Sequence, residues 1–311
     1  MTKYEFVPED TVSTLDGKTL TRIKALVAIP LHDVKIGDLG GYLESDKNLS
    51  HEGGCWVGDN AKVFGDAKVY DDAVVTGNAT VFDNAKVLGN AKVYDTALVY
   101  DNAVVTGNAM VFGNAKVSGT AMVFGNATVY GNARVYGNAR VYGNARVYGT
   151  AMVFGNAKVY GNAKVSGTAM VFGNAKVCGS ARVYGNSRVY EDAQVYGSAG
   201  VYGNAEVYGN SWVFGNSWVY GSARVFGSAK VSGNAEVSEN AKVSENAMVF
   251  GNAKVCGSAR VYGNSRVYED AQVYGSAWVY GSARVYGNAE VTGNATVCGN
   301  TEVEGTKKIS K

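Results

Sequence analysis

From residue 57 onward, apolar and polar positions alternate with a beat of six. Valine occupies Val57, Val63, Val69 and every sixth position through Val303, 42 valines without a skip, and Ile309 keeps the phase. Two residues before each valine stands a small residue, mostly alanine (Ala61, Ala133, Ala139) and sometimes serine (Ser187, Ser211, Ser217, Ser265). In Ala139, Arg140, Val141, Tyr142 the pattern is a period of two over four residues, the mark of a short half-buried strand. Alanine and valine point inward, arginine and tyrosine outward. The pair that follows, Gly143 and Asn144, tolerates positive φ and makes a tight turn. Each hexapeptide therefore predicts one strand and one corner.

A chain that turns the same way after every strand winds into a solenoid. Three hexapeptides per triangular turn predict about 14 coils of 18 residues. Only Pro8 and Pro30 occur, both before the repeats, as a ladder of hydrogen-bonded strands requires. Burial of each valine is worth about 1.5–3 kcal/mol, so the expected stability is a sum of many equal parts.

The V-x-G-N-A-x pattern, with an aliphatic residue every six and a small residue two before it, resembles the hexapeptide-repeat left-handed β-helix proteins. The resemblance covers about residues 55 to 309, and it implies the left hand, which periodicity does not show. One departure is that the slot after the aliphatic residue holds Tyr, Phe, Ser, Thr or Cys, with glycine one later. The fold class expected is all-β: a single-stranded left-handed β-helix with a small β-rich N-terminal cap.

Residues 1–54 are different material. TVSTLDGKTLTRIKALVAI reads as a hairpin turning at Asp16 and Gly17, and the glycine pairs Gly40–Gly41 and Gly53–Gly54 read as turns leading into the first coil. The domains expected are a capping segment, 1–54, covering an open strand edge, and a β-helix, 55–311, with a short polar C-terminal tail. VKIGDLGGYLE, NLSHEGGCW and the tandem hexapeptides together are similar to the YdcK-like branch of the hexapeptide family, found in bacteria and prophages. That resemblance implies no specific activity.

Charge is nearly balanced, 29 basic against 27 acidic residues, which gives no overall field for nucleic acid or membrane. About twenty basic residues sit between alanine and valine and point outward, spread over all three faces; many acids, such as Asp71, Asp83, Asp95, Asp101, Glu191 and Glu269, sit at corners. Tyr130, Tyr148, Tyr184, Tyr202 and Tyr220 fall on one face and Tyr136, Phe154, Phe172, Tyr190 and Tyr208 on another, so stacked ring ladders are expected.

Cys178, Cys256 and Cys298 fall on three different faces, too far apart for a disulfide, and Cys55 takes an inward slot. With no signal-peptide pattern and no apolar span, the expected location is cytoplasmic.

Many hexapeptide proteins are acyltransferases that use a histidine base and a coenzyme A arm, as the resemblance implies. Here the only histidines are His32 and His51, both in the cap, and His51 reads as a turn residue donating to backbone. No catalytic, cofactor-binding or metal-binding residue is assigned, and no cofactor. Residues 169–199 recur unchanged as 247–277, and 114–127 as 162–175. Neither offset is a multiple of 18, so each copy changes face, which disfavours a binding stripe on one face. The expected function is a non-catalytic structural or protein-interaction solenoid, bacterial or phage-encoded, with an unidentified protein partner. The alternatives are an acyltransferase-like enzyme and a phage-borne binder that inhibits a host defence factor. After Val303 the chain has only EGTKKISK, so the C-terminal coils are the place where a homodimer is expected, by edge pairing.

Overall fold

In the computed structural model, which describes residues 1–311, each hexapeptide folds as a two-residue strand and a turn. The four-residue strand expected at Ala139–Tyr142 is confined to Arg140–Val141, because the corner begins at Tyr142 and Gly143 already stands at φ +69°. Strands pair in parallel with the strand 18 residues on, as in Lys62↔Thr80 and Val63↔Val81. The corners join the ladder too: Asn60 N–H donates to the Gly77 carbonyl at 2.9 Å, as Lys62 N–H does to that of Ala79. Nearly every backbone amide of a narrow core thereby finds a partner. The inward valines and alanines are buried throughout. The fold is an all-β parallel solenoid of about 15 turns.

The chain divides into two compact units, Met1–Gly155 and Asn156–Lys311. The first opens with the expected hairpin. Strand β1 (Tyr4–Ser13) runs antiparallel to β2 (Thr19–Ala25), and Gly17 takes φ +84° in the turn between them. Strand β3 (Leu39–Leu43) is antiparallel to β2 but parallel to Lys62–Val63. It is a cap strand and a solenoid strand at once.

Leu49 bridges Val69 in the same parallel sense, and Trp56–Val57 pairs with Val74–Val75. Leu43, Leu49 and Val57 therefore form the first coil, and stacking starts well before residue 55. The spacing hides this, because eight residues instead of six separate Leu49 from Val57. Buried Asn48 closes the corner between Leu43 and Leu49, its amide donating to the carbonyls of Gly65 and Ala67 at 3.0 Å each.

Gly53 turns as expected, at φ +67°. Gly40 and Gly41 do not; they lie inside β3. A Cβ at Gly41 would stand 2.5 Å from the Ala61 carbonyl oxygen, so this pair serves close approach of the cap to the coil below.

In the second unit the same coil repeats through Val303. The final segment is more than a tail: Gly305 makes one further corner and Lys308–Ser310 pairs with Glu290–Thr292, Ile309 opposite Val291.

Candidate functional site

The densest polar cluster lies where the cap meets the first coil. Lys3, just before β1, and Tyr4, its first residue, lie over the turn from Ser50 to Cys55. The Lys3 side chain is buried, and its ammonium donates to the carbonyls of Glu52 (3.3 Å), Gly53 (3.2 Å) and Cys55 (3.0 Å), with Cys55 Sγ at 3.1 Å. A cation removed from water persists only with such a set of acceptors. Burial pushes the Cys55 thiol above its ordinary range, against the opposing effect of Lys3.

His51 is fully occupied. Its Nδ1 accepts the backbone N–H of Lys3 at 3.1 Å, which leaves the proton on Nε2, and Nε2 faces Asp46 Oδ1 at 2.9 Å. The expectation that His51 donates to backbone is thus reversed: it accepts from backbone and donates to a carboxylate. The Tyr4 hydroxyl shares the same Asp46 oxygen at 2.9 Å, and its ring stacks on the imidazole with centroids 4.6 Å apart. Burial first, then Asp46, raises the Tyr4 phenol far above its normal range. His32 Nε2 donates to the Asp72 carbonyl at 3.1 Å, and burial holds this imidazole below its usual value.

A groove of about 560 Å³ runs beside His51, with Lys47, Lys68 and Lys86 on its walls. It offers ammonium groups and the Asp46 carboxylate, whose Oδ1 is shared by His51 and Tyr4, and neither imidazole nitrogen is free. Sequence periodicity could not have found this cluster, since the contacts of Lys3 and Tyr4 reach residues 42 to 52 away in a segment without repeats.

Elsewhere many outward rings, amides and charges meet their equivalents one coil away. In the first unit Tyr94, Phe112, Tyr130 and Tyr148 stack with centroids 4.7–5.0 Å apart and planes within 6°. In the second, Tyr184, Tyr202 and Tyr220 do the same at 4.9 Å, and burial pushes Tyr190 up to about 12. Of the two turn residues in each Gly–Asn pair, glycine alone takes positive φ. The asparagines form amide ladders, Asn90 to Asn108 to Asn126 to Asn144, at 3.0–3.1 Å. Glu206 sits between Arg188 (3.6 Å) and Arg224 (3.3 Å) in one column. Where serine replaces the inward alanine its hydroxyl is satisfied, as Ser187 Oγ donates to the Tyr184 carbonyl at 2.9 Å.

Cys178, Cys256 and Cys298 are free thiols, and their preceding valines pair in three different sheets. Within the second unit the duplicated block does change face: Val171 and its copy Val249 belong to different sheets. No helix is long and apolar enough to cross a membrane.

No curated protein matches the chain. Six stretches, residues 121–137, 133–149, 139–155, 181–197, 259–275 and 283–299, match the family model described as the YdcK beta solenoid repeat. Each window spans one coil less a residue, and together with the parallel 18-residue stacking they identify the chain as a YdcK-like β-solenoid repeat protein.

Proposed function

We propose that this chain is a non-catalytic structural or protein-interaction solenoid working in a bacterial or phage-infected cytoplasm. The observation that carries the reading is the state of His51. A general base needs a free ring nitrogen within reach of a substrate proton, and here Nδ1 holds the Lys3 amide while Nε2 holds Asp46. His32 is tied to a carbonyl in the same way. The outer surface supports the reading as well, because its rings, amides and many charges are engaged along the coils.

The test is calorimetry with acetyl-coenzyme A and an acyl-transfer assay with a panel of amines and alcohols. Neither binding heat nor product is expected. Turnover in the wild type that disappears in His51→Ala would sink the proposal.

We further propose a homodimer through the C-terminal coils. In this chain the strands Glu302–Val303 and Lys308–Ser310 pair on one side only, and a second edge would satisfy the groups on the other. A two-fold pair closes on itself. Light scattering should give twice 32.7 kDa, and a soluble domain fused after Lys311 should return the monomer; a trimer indifferent to the fusion would refute it.

A further inference from the structure

The ring ladders are interrupted, and one interruption in the first unit has the shape of a missing ring. Phe64, Phe82 and Tyr100 occupy one corner column, the next place holds Ser118, and Tyr136 and Phe154 resume the column beyond it. Tyr100 stacks on Phe82 at 5.0 Å, and Tyr136 on Phe154 at 4.9 Å. Each of these tyrosines thus has one ring face covered by its own ladder and the other turned toward the gap.

Rings two coils apart stand about 10 Å from each other, twice the spacing of hydrogen-bonded strands. One planar ring placed midway would meet both at about 5 Å, which is the spacing within the ladders themselves. A cavity of about 280 Å³ occupies this place, lined by Tyr100, Lys116, Ser118, Arg134 and Tyr136. Lys116 and Arg134 stand at outward strand positions of one sheet, with Leu98 and Met152 before and after them, so no carboxylate shares their column. Asp101, the acid that follows Tyr100, has its Oδ2 on the Gly119 N–H at 2.8 Å.

We propose that the gap at Ser118 binds a planar aromatic carboxylate, its ring between Tyr100 and Tyr136 and its carboxylate on Lys116 and Arg134. This goes beyond the non-catalytic reading and does not depend on it.

Two observations select this ligand. The facing walls are ring faces, which accept a flat ring in an offset stack and hold water poorly. The cations beside them include a guanidinium, whose planar fork matches a carboxylate. In the second unit the comparable gaps lack an unengaged guanidinium. Beside Ser244, Arg224 pairs with Glu206 at 3.3 Å and Arg260 lies over Trp278 at 4.9 Å. Beside Ser232, Lys230 lies over Trp212 at 5.2 Å, and Cys178 has Lys158, Lys176 and Gln194 on the neighbouring strands.

The experiment is a ligand-detected NMR titration of the full chain with naphthoate, and with neutral naphthamide beside it. Submillimolar binding of naphthoate is expected, with naphthamide at least tenfold weaker. Ser118→Phe supplies the missing ring from the chain itself. It should weaken binding at least tenfold while the thermal melt stays at or above that of the wild type, since rings hold this position on either side. Should that variant unfold, Ser118→Leu fills the gap with the residue the chain carries in a corner place at Leu88.

Tyr100→Leu and Tyr136→Leu each remove one ring face and should weaken binding about 2–12-fold. Lys116→Gln with Arg134→Gln should weaken naphthoate at least tenfold and naphthamide less than twofold. Ser244→Phe, the control in the second unit, should change binding less than twofold. Naphthamide binding as tightly as naphthoate, full binding in the filled-gap variant, equal loss in Ser244→Phe, or no binding at millimolar ligand overturns the proposal. Each of these leaves the non-catalytic reading standing, since that reading fails only on turnover.

Discussion

Asp71 stands at φ +58° in a corner where most coils have glycine, and its carboxylate Oδ2 accepts the backbone N–H of Gly89, one coil on, at 3.0 Å. The corner glycine N–H points away from the strand ladder. An acid in the preceding coil satisfies it, as Asp59 does for Gly77, Glu191 for Gly209 and Glu269 for Gly287. The left-handed backbone costs a non-glycine residue roughly 1–2 kcal/mol, and a charge-assisted hydrogen bond offsets much of it.

It follows that Asp71→Ala should destabilise the fold by about 1–2 kcal/mol, keeping the strain and losing the bond. Asp71→Gly should lie within about 1 kcal/mol of the wild type, losing both together. Chemical denaturation of the two variants decides the point: equal losses would show that the bond and the strain do not compensate.

Removal of one whole coil, residues 129–146, joins Thr128 to Val147, which keeps its phase. The two cut ends lie in equivalent surroundings within the first unit, so a folded protein with only slightly lowered stability is expected. Circular dichroism and a thermal melt measure it, and unfolding at room temperature would reject the equivalence of coils.

Lys3→Met is expected to cost about 2–3 kcal/mol locally, because the carbonyls of Glu52, Gly53 and Cys55 lose their shared donor in a buried place. The turn should open and expose Cys55, so mass-resolved thiol labelling at Cys55 should accelerate while that at Cys298 stays unchanged. Unaltered labelling at Cys55 would show that Lys3 does not hold the cap.

His32 gives a pH dependence with a definite sign. Burial lowers its folded value, so the unfolded chain takes up the proton first as pH falls. The stability that neutral His32 contributes is complete above the unfolded value of about 6.5 and is lost as pH drops through the folded one. His32→Gln keeps an N–H for the Asp72 carbonyl without titrating. Its melting temperature should therefore fall less between pH 7 and pH 5 than that of the wild type; parallel curves would refute the assignment.

The sequence by itself determined the repeating unit. A valine every sixth residue and a small residue two before it set which side chains face inward, and a glycine or acid in the same slot of each unit set the corner. These are local matters of φ, ψ and side-chain size, so a period expresses them fully, and the ring ladders of Tyr130 with Tyr148 follow by counting 18. Even so, the two roles in the corner could not be separated from composition: Gly143 bends the backbone, whereas Asn144 serves an amide ladder that exists only once coils stack.

Tertiary structure alone decided the cap. Leu43 and Leu49 belong to the first coil although the phase breaks before Val57, because β2 holds β3 in place from the other side. Gly40 and Gly41 lie in a strand with no room for a Cβ, which would strike Ile23 and Trp56 at the first and the Ala61 carbonyl at the second. Lys3, His51 and Cys55 meet across about 50 residues through contacts made once, and an interaction made once leaves no period to read.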